Sequence, residues 1–433
     1  MEKTAVVLAG GGSRGAYQVG VWQAMRELSI PYQLVTGTSV GALNGVVMVQ
    51  QEFDKAIKIW ENIDSQQIFG LPSEQLEQLD GHPLRQMARG GVELAGLEKF
   101  VAQLVDEQRF WESPIDFALV TVEYPTMKPL ELQKKDIPKG RLQEYLLASA
   151  ACFPAFQVKK IDGKRYIDGG YHDNMPVNLA LKMGADQVIA VDLESIGITR
   201  RVKSRDKKIL QIYSLWPLGS FLKFDRALAA RNIRLGYLDA KKAFGAADGQ
   251  QYTFYKDSAF FYTPALRALS EKLFERARQL DERSLNILQT HTVQRMLRQF
   301  RKRALRTGRP MAFTLSRQMM MAAELLGEAL ELSPEKEYDF GDFLVQLRQA
   351  AAQARERFDP HIVGEELQKL DRATVVLWIR ERIDRVLKEG GNPAELLLAA
   401  AFWKEFAAAI FLYLIEQPDL ELASLQVFGQ QEQ

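Results

Sequence analysis

One cysteine and four histidines are all that 433 residues offer of the side chains that most often cross-link chains or hold zinc. The lone thiol, Cys152, excludes an intrachain disulfide framework and suits a reducing compartment. His82, His172, His291 and His361 stand without ligand spacing, and one cysteine cannot complete a zinc knuckle. An acidic calcium loop and a His-Glu-x-x-His pair are missing too, so the sequence demands neither metal nor cofactor. Charge imbalance is also lacking. A formal net charge of +1 gives no bulk attraction to nucleic acid, and any basic character must be local. Long apolar runs are missing as well. "MEKTAVVLAGGG" has six apolar residues before its glycines, too few for a secretory core. The richest stretch, "ELLLAAAFWKEFAAAIFLYLIEQ" (395–417), is broken by Lys404 and Glu405 into eight and ten apolar residues. About 20 are needed to span a bilayer, so it reads as a buried helix. The expected location is the cytoplasm, with a peripheral membrane contact left open.

What is present is the composition of a globular protein, 47% apolar and 26% charged, in a chain long enough for about two domains. The first half alternates. Residues 4–9, 33–36, 116–123 and 186–193 read as short buried strands, and 14–28, 40–50 and 141–151 as helices. That order predicts βαβ units around a mostly parallel sheet, an α/β fold with helices on both faces. Past residue 244 the β-branched runs stop. Leu266, Leu269, Leu273, Ala277 and Leu280 recur at helical spacing, as do Val375, Ile379, Ile383 and Val386. With "GAADGQQ" (245–251) as the junction, the expectation is an α/β domain over 1–245 and an all-helical domain over 246–433.

The first strand runs straight into "GGGSRG", Gly10 to Gly15. A P-loop would need Gly-Lys-Ser/Thr after the turn, and Ala16 and Tyr17 follow instead. The spacing Gly10, Gly12, Gly15 fits a dinucleotide turn, but the second strand ends "QLVTGTSVG" without the carboxylate that would hold a ribose. A plain tight turn is the third reading. The end of the second strand shifts the balance, because Gly37-Thr38-Ser39-Val40-Gly41 is a G-x-S-x-G pentapeptide between a strand and a helix. In that context the serine is a nucleophile on a strained elbow, with Gly37 and Gly41 letting backbone pack against it. Bare amides beside it would then serve an oxyanion.

A serine nucleophile needs a proton acceptor. His172 and Asp173 are candidates in "YIDGGYHDNMPV", and so is Asp168, which ends the apolar run "RYID" and is followed by Gly169 and Gly170. Arg14 reads either as lining the oxyanion turn or as a solvated first-turn arginine. Cys152 reads as a small packing residue.

These three motifs, in this order, resemble the patatin-like phospholipases, a family of serine lipid acyl hydrolases. The likeness covers "GGGSRG", "GTSVG" and "DGG", with "ASAACFPAF" (148–156) and "DNMPV" (173–177) beside them. It runs from about residue 4 to 193, weakly through "GYLDAKKAFG" (236–245), and does not extend over the remainder. It implies a three-layer α/β/α domain and a Ser39–Asp168 dyad. Gly10, Gly11, Gly12, Ser13, Arg14 and Gly15 would form the oxyanion turn, Gly37 and Gly41 the elbow, and Gly169 and Gly170 the support of the dyad. It further implies a phospholipid or other acyl-ester lipid as substrate, with no cofactor. A dinucleotide enzyme and a non-catalytic membrane module stay open as rivals. Two basic clusters, "RRVKSRDKK" (200–208) and "QRMLRQFRKRALRTGR" (294–309), read as solvated faces or as contacts with an anionic surface. Nothing in the sequence fixes an oligomeric state.

Overall fold

The computed structural model describes residues 2–70, 92–204, 206–280, 314–359, 364–389 and 402–418, together with 294, 298, 302 and 420. Contacts divide the chain into two compact units, Met1–Ala243 and Phe244–Gln433. His82, His291 and His361, and nearly all of the 294–309 cluster, lie outside the described residues.

The first unit is built on an eight-stranded sheet. Its strands are β1 (Thr4–Leu8), β2 (Leu34–Thr38), β3 (Asp116–Tyr124), β4 (Lys128–Gln133), β5 (Lys159–Ile161), β6 (Lys164–Asp168), β7 (Gln187–Val191) and β8 (Lys208–Ile212). The order is β5-β6-β3-β2-β1-β7-β8, with β4 pairing β3. From β3 to β8 all pairings are parallel, whereas β4, β5 and β6 pair antiparallel. "TAVVL" makes the central strand because four of its five residues can be buried between two helical layers. Ala5 and Val7 pack with Val177 and Ala180 of the helix Val177–Lys182 on one face. On the other face lies α2 (Val40–Gln50), whose Gly45 sits over Leu8, Val35 and Phe117. Helix α1 (Ala16–Glu27) packs through Gly20 against the backbone of the helix Arg226–Phe244, and the Tyr17 hydroxyl donates to Asp239 at 2.8 Å. The domain is thus a three-layer α/β/α sandwich.

One register detail places the site. Strand β2 runs parallel to β3 and ends with Thr38 opposite Val120, while β6 runs antiparallel and ends with Asp168 opposite Thr121. Because β4 occupies the other edge of β3 over Ala118–Glu123, β2 and β6 must share one edge. They meet head to head there, with their carboxyl ends one residue apart.

The second unit is mainly helical. It contains the helices Thr263–Leu280, Leu315–Ala329, Phe340–Arg355, Arg372–Glu389 and Trp403–Ile415. Helix Trp403–Ile415 buries Phe406, Phe411, Leu412 and Ile415 among others, as a core helix does. Among the described residues no helix is long and apolar enough to cross a membrane. The expectation of an all-helical unit needs one amendment. Three strands of two or three residues, Ala247–Asp248, Thr253–Tyr255 and Glu337–Tyr338, form a small sheet. Its Phe254 and Tyr338 pack with Phe340 and Phe343 in an aromatic cluster.

Candidate active site

Ser39 caps the N-terminus of α2 at φ 55° and ψ −128°, a left-handed backbone that a side chain adopts only under constraint. The constraint is close packing. A Cβ on Gly37 would lie 2.3 Å from the Gly41 carbonyl oxygen, and one on Gly41 would lie 2.1 Å from that of Leu8. Both elbow positions therefore admit only glycine. Ser39 is half-buried and faces a cavity of about 420 Å³.

Asp168 is buried at the end of β6, where its carboxylate takes a hydrogen bond of 2.7 Å from the Gly170 amide and lines the same cavity as Ser39, whose nearby side chain also favours the charged carboxylate. Burial pushes its pKa up to about 6, against the lowering effect of those two groups. The head-to-head strand ends thus bring together two residues distant in the chain. A side chain not singled out in the sequence completes the junction. Ser149, fully buried in the helix Leu142–Ala150, accepts the Ser39 amide at 3.0 Å and donates to the Val120 carbonyl at 2.7 Å. Its hydroxyl fills the gap where the partner of β3 changes from β2 to β6. Ser149→Ala orphans two buried backbone groups and is expected to lower the unfolding free energy by about 2 kcal/mol. Urea denaturation checks this, and an unchanged midpoint would refute it.

The glycine turn divides by function. The Gly10 amide donates to the Asn174 carbonyl, Ser13 to Phe221, and Arg14 to Gly11. Gly15 lies against Val40 and Trp60 at the root of α1, away from the cavity. Only Gly11 and Gly12 line the cavity, and their amides donate to no acceptor among the described residues. The six-residue turn expected from the sequence thus offers two free donors. The Arg14 guanidinium neither lines the cavity nor stands in solvent. It donates to the carbonyls of Gly219, Leu193 and Glu194 and straps two loops onto the turn. The Ser13 amide, where a dinucleotide phosphate would sit, is held by the Phe221 carbonyl at 2.9 Å.

Asn174, the asparagine of "DNMPV", locks the turn in place. Its side-chain amide donates to the Gly10 carbonyl at 3.2 Å, so the turn and the Asp168 loop are tied together. The other candidate bases lie elsewhere. Asp173 is buried outside the cavity lining and accepts from the Arg200 amide; burial raises its pKa to about 6. The His172 ring lies against the Arg200 guanidinium, and burial lowers its pKa. Cys152 does line the cavity, where burial lifts its thiol to about 12 and keeps it protonated at neutral pH. Beyond Ser39 and Asp168 much of the wall is apolar, with Leu43, Ile68, Phe69, Leu97, Phe100 and Phe156. Among the described residues, no three His, Cys, Asp or Glu side chains converge as metal ligands would.

Comparison with known proteins follows the same segment. Residues 6–181 match the family model described as patatin-like phospholipase. Over 194 residues the chain is 28% identical to patatin-like phospholipase domain-containing protein 7 of Rattus norvegicus, covering 44% of this chain and 14% of that protein. It is 30% identical over 196 residues to lysophospholipase nte1 of Aspergillus terreus, covering 44% of this chain and 12% of that protein. The match therefore spans only about one seventh of the length of these relatives. Among solved structures, VipD from Legionella pneumophila aligns at a TM-score of 0.36 and 13% identity, covering 97% of this chain and 93% of that one.

Proposed function

We propose, from the premise that this chain carries a patatin-like phospholipase domain over residues 6–181, that it hydrolyses acyl esters of glycerolipids through an acyl-enzyme on Ser39. The observation that carries this reading is the pairing of Ser39 with a buried carboxylate at the mouth of an apolar cavity, beside two uncommitted amides. The Ser39 hydroxyl attacks the ester carbonyl as Asp168 takes its proton. The oxyanion so formed accepts from the Gly11 and Gly12 amides. Collapse expels the alcohol half of the lipid, which leaves with the proton from Asp168. A water molecule, deprotonated by the same carboxylate, then attacks the acyl-enzyme, and the fatty acid is released as Asp168 returns that proton to the Ser39 oxygen.

A normal aspartate is a weak base, with a reference pKa near ~3.9. Here burial raises its proton affinity toward that of a working base, to about 6. Preset donors supply the larger share, since one oxyanion donor is worth about 3–4 kcal/mol in comparable enzymes. The apolar wall gives the acyl chain its place, and such a cavity falls within the usual ~300–1,000 Å³ of small-molecule sites. The lysophospholipase among the relatives favours a single-chain lipid as first substrate to try.

The direct test is to incubate the full chain with lysophosphatidylcholine and with phosphatidylcholine, and to follow free fatty acid by mass spectrometry. Fatty acid release from at least one of them is expected. Release of none, by a protein that melts cooperatively, would overturn the lipid reading.

A further inference from the structure

The rim of the cavity is more apolar than an exposed rim should be. Ile196 is 84% exposed and Ile198 53%, and both border the cavity with Tyr171, Phe221 and Leu222. Free isoleucines on a slack loop would need no explanation. This loop is pinned. Ile198 accepts from the Asn174 amide at 2.7 Å and donates its own amide to Gly170 at 2.9 Å. Ser195 donates through its hydroxyl to the Gly10 carbonyl at 2.8 Å. The backbone therefore holds Ile196 outward beside the catalytic turn, where collapse onto the protein is blocked.

The charge that follows is positive up to Asp206. Arg200, Arg201 and Lys203 come next in the chain and are all exposed. Arg200 is occupied by His172, but among the described residues the Arg201 and Lys203 side chains have no acidic partner. Their backbones are anchored, because the Asn178 side chain donates to the Arg201 carbonyl and accepts from the Lys203 amide. Across the rim, Lys223 is exposed next to Leu222. The acids of the loop flank this run, Glu194 on the other side of Ile196 and Asp206 toward β8. Lys207 and Lys208 belong to the far end of the sheet, where Lys207 pairs with Asp186 and Lys208 sits opposite Gln187.

We infer that this rim is a docking surface for an anionic lipid bilayer, with Ile196 and Ile198 entering the acyl layer and Arg201 and Lys203 facing its headgroups. An apolar tip beside cations is complementary to such a surface and to no neutral one. The surface would deliver the cavity mouth directly to lipid. The inference rests on the lipid reading for its purpose, but the binding is read without turnover.

The test uses the full chain carrying Ser39→Ala, sedimented with vesicles of phosphatidylcholine alone or with about 30% phosphatidylglycerol, enough to give an anionic surface. Partition into the mixed vesicles is expected, and little into the neutral ones. Each surface cation is worth about fivefold in partitioning, so Arg201→Gln with Lys203→Gln should lose about 25-fold. Ile196→Ser should lose about tenfold, from the buried side chain it removes. In a chain with Ser39 intact, the Arg201→Gln, Lys203→Gln pair should hydrolyse a short water-soluble ester at the wild-type rate. Undiminished partition in either variant, equal partition into both vesicles, or none at all would overturn the docking surface. Loss of soluble-ester hydrolysis in the unsubstituted chain would instead sink the catalytic reading and leave the vesicle result standing.

Discussion

The Ser39→Ala protein is expected to release no fatty acid and to take up no fluorophosphonate label, with turnover lower by about 10⁴-fold or more. The size follows from what the position does. Ser39 carries a cavity-lining hydroxyl close enough to the buried Asp168 carboxylate to influence its pKa. Ser195 also borders the cavity, but its hydroxyl is spent on the Gly10 carbonyl and no base stands beside it. Alanine keeps the left-handed backbone of the elbow under the same packing, so the fold should survive and the loss should be chemical. Two controls make this decisive. The melting temperature of the variant should stay close to wild type, and its label should be sought by peptide mapping. Labelling of Ser195 or another serine in the Ser39→Ala protein would displace Ser39 as the nucleophile.

How much of this was legible beforehand depends on the range of the interaction. The strand–turn–helix units around Gly10 and Gly37 could be read because local backbone demands wrote them: a buried run, then glycines where nothing larger fits. The meeting of Ser39 and Asp168 was suggested by resemblance and not by spacing. It depends on β6 turning antiparallel against the same edge of β3 that β2 uses, and four residues of "RYID" hold no record of their partner. Arg14 could not be assigned from sequence because its three acceptors lie 179 to 205 residues away. The division of the glycine turn was hidden for the same reason, since Asn174 and Phe221 claim the amides that do not face the cavity. Ser149 had a signal, a hydroxyl within the apolar helix end "LLASAA". Only the exchange of strand partners on β3 explains why it must be there. In the second unit, strands of two or three residues are too short to show alternation, so a helical texture masked them.

Asp168→Asn should cost activity and raise stability in the same protein. Asparagine can still accept from the Gly170 amide and face Ser39, but it cannot take the serine proton, so a fall in kcat of about 10³–10⁴-fold is expected, with KM little changed. The stability change has a defined sign. A carboxyl whose folded pKa stands at about 6 rather than 3.8 binds its proton more tightly in the folded chain. Its contribution is therefore full below the unfolded value and is lost as pH rises through about 6. At pH 8 the wild type holds an ionised carboxylate in a buried site, and a displacement of that size corresponds to about 3 kcal/mol. The variant should accordingly gain on the wild type in urea midpoint as pH goes from 4 to 8. Asp173 is raised to about the same value but is present in both proteins, so it cancels in the difference. The same group sets the activity profile: wild-type kcat should climb through about pH 6 and then level, since Cys152 and Tyr171 are both held near 12. Asp173→Asn separates the two carboxyls, because it should leave that limb in place. A limb that moves with Asp173, or an Asp168→Asn protein no more stable at pH 8 than at pH 4 relative to wild type, would mean that the carboxylate is not the buried base the strand ends deliver to Ser39.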